Sequence, residues 1–304
     1  MLGILLISYL VYSSAYYTTP FKITTKTFNN ENIKVYEPLN LEKNKNLLFF
    51  TGANSFIPGE VYSSFLSNVA QYNITTYVCS NNILTSNDIY NNIENDDETI
   101  VLGHSTGCVN AIDFSNKNPS IKKMVLMDPV DNSYLYNKKY NNIPNKFTDN
   151  FVKRFVDSIK IIPFFDKITY ENVEEVDDVL KLNHINDILF LNARKSYTWD
   201  IFNRKFPFIP AFGISKDTIE CDEKNTNKIT IYAEDFGHTD ILDEIWANNM
   251  HNTISRGTED RSSENLNMYH KWLATIIYIF ANKENPLEVL TTNDIVKQIK
   301  SKCE

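Results

Sequence analysis

Compact apolar runs alternate with amphipathic stretches along almost the whole chain. "FKITTKTF" from Phe21 and "NIKVYEP" from Asn32 flank an Asn-rich turn and predict a hairpin. "NLLFF" from Asn46, "ITTYVCS" from Ile74, "TIVLG" from Thr99, "KKMVLMD" from Lys122, "DILFLNA" from Asp187 and "KITIYAE" from Lys228 follow. These short apolar runs are of the kind that a parallel sheet buries on both faces. Between them "GEVYSSFLSNVAQ", "NDIYNNIEN" and "TGCVNAIDFSN" read as helices, and "NLNMYHKWLATIIYIFANK" and "TNDIVKQIKSK" extend the pattern to the end. Strand and helix in alternation predict a doubly wound α/β sheet. No internal repeat and no Pro/Gly/Ser-rich linker divides the chain, so one domain is expected over 16–304.

One segment departs from this rhythm. Residues 131–187, between the sixth and seventh predicted strands, are too long for an ordinary crossover and read as an insertion. Phe151, Phe155, Ile159 and Ile162 recur there at helical spacing, opposite Lys153, Arg154, Asp157 and Lys160. The pattern suits a crossover helix packed on the sheet, or a lid over an apolar site.

The first residues, "MLGILLISYLVYSSAYY", have their own character. The apolar part is shorter than the ~20 residues that span a bilayer, and Ser13-Ser14-Ala15 supplies the small side chains of a cleavage site. Residues 1–15 are therefore expected to be a signal peptide, directing the chain to secretion or an endomembrane lumen. The absence of Lys and Arg before the apolar run leaves a short membrane anchor or a plain buried strand as the alternatives. A sequon at Asn73-Ile74-Thr75 is compatible with secretion.

Composition narrows the function classes. A net charge of -8 offers no basic field to a polyanion, so nucleic acid is not an expected partner. The 4 cysteines, Cys79, Cys108, Cys221 and Cys303, are too few for a disulfide scaffold and show no metal-ligand spacing. Cys108 is expected inside a helix, and Cys221 with Cys303 is the pair to test in an oxidising compartment. No metal or organic cofactor is expected.

The candidate chemistry lies in "TIVLGHSTGCVNAIDF". Gly103-His104-Ser105-Thr106-Gly107 falls between a predicted strand and a predicted helix, the setting of a nucleophile elbow. A serine hydroxyl needs a histidine to take its proton and a carboxylate to orient that histidine. In this arrangement the chain order is serine, acid, histidine. Of the 5 histidines, His238 directly follows the last predicted strand, and Gly237 frees the backbone to present its ring at the sheet's carboxyl edge. His104 is expected to point away from Ser105, while His184, His251 and His270 fall in the insertion, a loop and a late helix. For the acid, Asp128 ends the strand "KKMVLMD" ahead of Pro129, with Asp131 as fallback and Asp200 farther from its strand end. The oxyanion donors are expected to be the N–H groups of Thr106, after the nucleophile, and Ala53, in the turn after "NLLFF".

Taken together, "GHSTG", "LMDPVD" and "AEDFGHTDILDE" resemble the chlorophyllase-like α/β-hydrolases over roughly Leu47 to Trp246. That family carries Asp-Pro-Val at the end of the strand after the elbow and Gly-His-x-Asp-x-Leu-Asp around the histidine. Gly237, His238, Asp240, Leu242 and Asp243 all match. The resemblance implies an α/β-hydrolase fold and a serine esterase with Ser105 as nucleophile, Asp128 as acid and His238 as base. Pancreatic-type lipases likewise place the acid at a Leu-Asp-Pro strand end. Two positions depart from the family pattern: its His-Gly at the oxyanion turn is Thr51-Gly52 here, and its second Gly after the elbow is Cys108. The aromatic residues of the insertion point to a lipophilic, lipid- or membrane-derived small-molecule ester. The same three residues would equally serve an acyltransferase, thioesterase or peptidase, and a catalytically inactive binding protein of this fold is expected to lack one of them.

Overall fold

The computed structural model describes residues 19–39, 45–55, 57–79, 82–93, 99–131, 181–182, 184–197, 212–213, 220–221, 226–250 and 257–282. Eight strands form one sheet: β1 (Phe21–Phe28), β2 (Glu31–Pro38), β3 (Lys45–Phe50), β4 (Ile74–Cys79), β5 (Ile100–His104), β6 (Lys123–Met127), β7 (Asp187–Ala193) and β8 (Asn227–Ala233). Their order across the sheet is β1-β2-β4-β3-β5-β6-β7-β8. β1 and β2 are an antiparallel hairpin that joins β4 antiparallel, and all other neighbours are parallel. With helices on both faces, this is the α/β-hydrolase fold. The hairpin turn is made by Asn29 and Asn30 at φ 44° and 63°, the left-handed conformation that asparagine tolerates best after glycine.

The continuous apolar runs arise because both faces of each central strand are covered. Leu47 and Phe49 of β3 join one core with Ile100 and Leu102 of β5 and Val125 and Met127 of β6. Leu48 and Phe50 face the other side with Val101, Met124 and Leu126. Helices α1 (Ser63–Gln71) and α5 (Ser263–Ala281) cover the first face, α2 (Ile83–Asn92) and α3 (Gly107–Lys117) the second. β8, at the sheet edge, instead alternates between buried Ile229, Ile231 and Ala233 and an exposed Tyr232.

Two helices, α2 and α5, are capped by side chains at their N-termini. Asn82 accepts the Leu84 N–H at the start of α2, and Ser262 accepts the Asn265 N–H at the start of α5. At the other end of α5, Lys45 and the buried Lys123 donate their ammonium groups to the Phe280 and Ala281 carbonyls. Two cations there complement the negative end of the helix.

Two features were not anticipated. A short helix, α4 (Glu244–Met250), follows the His238 loop. Also, Val130–Asp131 pairs antiparallel with Phe212–Gly213, and Lys181–Leu182 pairs parallel with Glu220–Cys221. The two ends of the insertion therefore pair with the connection between β7 and β8. The helix expected at Phe151–Ile162, the lid, the signal peptide, the terminal "TNDIVKQIKSK" helix, Asp200, His251 and Cys303 lie outside the described residues. Cys79 and Cys108 are buried free thiols. At the sequon, Asn73 closes the turn from α1 into β4 with its side-chain oxygen buried, and Thr75 is buried in β4. Among the described residues no helix is long and apolar enough to cross a membrane.

Candidate active site

β5 and β6 end side by side at the carboxyl edge of the sheet, and each hands the chain to a residue in left-handed conformation: Ser105 at φ 56° and Asp128 at φ 42°. Neither is glycine, and such backbone strain concentrates where the surrounding structure holds a functional geometry. Three hydrogen bonds pin the two turns. Ser105 N–H donates to the Met127 carbonyl (3.0 Å), Val130 N–H to the Ser105 carbonyl (3.2 Å), and Asp128 N–H to the Leu191 carbonyl of β7 (2.9 Å).

The glycines flanking the serine are dictated by space. A Cβ on Gly103 would lie 2.5 Å from the Cys108 Cα, and one on Gly107 would strike the Phe50 and Thr51 carbonyls. The first glycine thus lets α3 start directly above β5, and the second lets it pass the end of β3. Ser105 is left half-buried at the mouth of the turn, next to the N-terminus of α3.

His238 Nε2 lies 2.8 Å from Ser105 Oγ. On the ring's other side, Nδ1 is 3.7 Å from Asp128 Oδ2, longer than a hydrogen bond but within ion-pair reach. Asp128 Oδ1 accepts the Ala193 N–H at 2.7 Å, which turns Oδ2 toward the ring. Burial pushes His238 down to about 4, so the imidazole is neutral near pH 7 and able to accept a proton. The carboxylate on Nδ1 favours the tautomer with its proton there, leaving the Nε2 lone pair for the serine hydroxyl.

The loop that presents His238 is held by the other residues of its motif. The fully buried Asp240 carboxylate accepts the Gly237 N–H (2.8 Å) and the Thr258 N–H (2.6 Å), with Arg261 Nε 3.6 Å away. Desolvation raises its pKa, and the two N–H groups with Arg261 work against that rise. Asp243 accepts the Ser64 N–H at 2.8 Å, tying the loop to the start of α1. From α5, His270 Nε2–H donates to the Asp240 carbonyl at 3.0 Å, while its Nδ1 faces Ser64 Oγ at 2.9 Å.

His104 and Tyr62 make contacts at the site that the sequence pattern does not predict. His104 Nε2 lies 3.1 Å from the His238 carbonyl, its Nδ1 lies 2.9 Å from Tyr62 Oη, and the two imidazoles pack at 4.9 Å. Nothing local signals this, because the partners are 42 and 134 residues from His104 in sequence.

Thr51-Gly52-Ala53 lies at the end of β3, beside the start of α3. Gly52 and Ala53 open a single helical turn, Gly52–Ser55, and the Gly52 N–H donates to Tyr62 Oη at 3.0 Å. Thr106, the other expected oxyanion residue, is the N-cap of α3. Among the described residues one group has ligand types close enough for a metal, His104, Asp128 and His238, whose ligand atoms lie within 4.8 Å of one another. Both His104 nitrogens and His238 Nε2 already take part in the contacts above. The structure thus brings Ser105, His238 and Asp128 into one cluster and places Asp131 in the short ladder with Phe212.

No protein-family model and no curated protein matches this sequence. Among solved structures it is similar to an esterase of Pyrobaculum calidifontis at 11% identity, covering 92% of this chain and 91% of that one with a TM-score of 0.48. It is also similar to the esterase domain of a Rhodothermus marinus protein (10% identity, 85% and 98% covered, TM-score 0.47). A third is an esterase/lipase from an uncultured bacterium (8% identity, 87% and 89% covered, TM-score 0.45). Identities this low assign no role to any residue.

Proposed function

We propose that this chain is a serine hydrolase of carboxylic esters that works through an acyl-enzyme. The observation that carries this reading is the 2.8 Å approach of Ser105 Oγ to His238 Nε2, made by a serine in left-handed conformation at a strand-to-helix turn. Ser105 Oγ attacks the ester carbonyl carbon as His238 Nε2 takes the hydroxyl proton. Asp128 Oδ2, on the Nδ1 side, stabilises the imidazolium that forms. The N–H groups of Ala53 and Thr106 receive the negative charge on the carbonyl oxygen. His238 then gives its proton to the leaving alcohol, and water repeats the sequence to release the acid.

The substrate we propose is a lipophilic ester, in keeping with the aromatic residues of 132–180 and the chlorophyllase-like sequence motifs. The leader-like residues 1–15 support a secreted or endomembrane setting. Hydrolysis of p-nitrophenyl esters from butyrate to palmitate tests the reading. Turnover is expected to rise with chain length and to fall about 10³-fold or more in Ser105→Ala. A folded protein that cleaves no ester of the series would overturn it.

A further inference from the structure

A chain of hydrogen bonds joins two parts of the site that lie far apart in sequence. It runs from the Gly52 N–H to Tyr62 Oη (3.0 Å), on to His104 Nδ1 (2.9 Å), and from His104 Nε2 to the His238 carbonyl (3.1 Å). Both ends are backbone groups of fixed role, a donor at Gly52 and an acceptor at His238. The direction of every bond between them follows: Tyr62 O–H donates to Nδ1, and His104 carries its proton on Nε2. Only a neutral tyrosine and a neutral histidine satisfy that order. Burial enforces it, raising the Tyr62 hydroxyl and lowering the His104 imidazole.

Tyr62 is fully buried in the larger core, with Phe49 edge-on to its ring at 5.1 Å, and His104 is nearly as buried. A phenylalanine would fill the same volume but would take away the hydroxyl partner of the Gly52 N–H and of His104 Nδ1. The glycine at the chain's origin is part of the device. A Cβ on Gly52 would press on Tyr62 Oη at 3.1 Å and His104 Nδ1 at 3.4 Å.

We infer that Tyr62 and His104 are positioning residues, which hold the turn carrying the oxyanion donor and the backbone of the base in one fixed relation. The inference rests on the serine-hydrolase reading above. Tyr62 Oη sets where the Gly52-Ala53 turn sits, His104 sets where the His238 backbone sits, and the bond between them locks the two distances together. Neither residue touches substrate, so their loss lowers turnover and leaves substrate affinity largely in place.

The test compares steady-state kinetics on p-nitrophenyl butyrate for Tyr62→Phe, His104→Gln, His104→Leu and the Tyr62→Phe/His104→Leu double variant, each checked by thermal melting. Tyr62→Phe deletes one oxygen, and kcat is expected to drop about 10- to 100-fold with KM within about threefold. His104→Gln keeps a donor for the His238 carbonyl and an acceptor for Tyr62, and is expected to retain several-fold more kcat than His104→Leu. The double variant is expected to be no worse than His104→Leu, because one chain is broken in both. A folded Tyr62→Phe with wild-type kcat, or equal kcat in His104→Gln and His104→Leu, overturns the inference. So does failure of all the variants to fold, since the chain would then serve the core and not the site. If the wild-type protein is active and Tyr62→Phe is unaffected, the inference alone falls. A folded wild-type protein with no ester hydrolysis takes down the serine-hydrolase reading and this inference with it.

Discussion

Asp128 Oδ1 accepts the Ala193 N–H at 2.7 Å, and this bond helps to set how the carboxylate faces the imidazole. With Oδ1 committed to the end of β7, Oδ2 is the oxygen 3.7 Å from His238 Nδ1. An amide in place of the carboxylate would present an N–H to one of these partners and favour the wrong tautomer of His238. Asp128→Asn is expected to lower kcat by about 10³- to 10⁴-fold. Asp131→Asn, in the short ladder with Phe212, is expected to stay within about twofold of wild type. Measuring both variants on one ester separates the candidates, and the opposite ranking would reassign the acid.

The elbow also fixes a stability prediction. Alanine at Gly103 meets the backbone of Cys108, and alanine at Gly107 meets the carbonyls of Phe50 and Thr51. Because these are main-chain atoms, relief requires α3 to move away from the sheet. Each substitution is expected to cost about 3 kcal/mol, read as a lower urea midpoint. A midpoint unchanged in either variant would show that α3 does not pack as described.

Buried neutral histidines make the fold sensitive to acid. His238 and His270 are both pushed down to about 4 by burial, and burial lowers His104 in the same direction. In the unfolded chain a histidine titrates near ~6.5. Between that pH and about 4 the unfolded state binds more protons than the native one, so stability falls as pH falls through this window. His238 and His270 each contribute on the order of 3 kcal/mol to that loss. Asp240 and Asp243 have raised pKa values through burial and act oppositely, favouring the native state at the acid end. Urea unfolding at pH 7.5 and pH 5 should show a clear drop in midpoint at the lower pH. A flat profile would contradict the burial of these rings.

Much of the fold was legible because the central strands are buried on both faces, so their apolar runs are continuous and bounded by turns. The hairpin was marked by Asn29-Asn30, and the elbow by two glycines that the packing requires. The sequence singles out His238 because the mechanism demands a histidine after the last strand, and Asp128 because Pro129 marks the strand's end; the structure places His238 2.8 Å from Ser105 and Asp128 3.7 Å from His238. The short helix α4 was not legible: of its 7 residues only Ala247 and Met250 are buried, too few to set a period. The Tyr62–His104 chain and the pairing of Val130–Asp131 with Phe212–Gly213 depend on contacts across the fold, which no local spacing encodes. Asp240 was matched as a motif residue without its reason, which is its hold on the Gly237 and Thr258 N–H groups.

Covalent labelling reports on Ser105 itself. Treating the folded protein with a fluorophosphonate and measuring its intact mass and tryptic peptides asks whether Ser105 is an activated nucleophile. One adduct per chain is predicted, on the peptide containing Ser105, abolished in Ser105→Ala and slowed at least about 10³-fold in His238→Ala. A folded protein that stays unlabelled, or that carries its adduct elsewhere with Ser105 unmodified, would show that Ser105 is not the nucleophile.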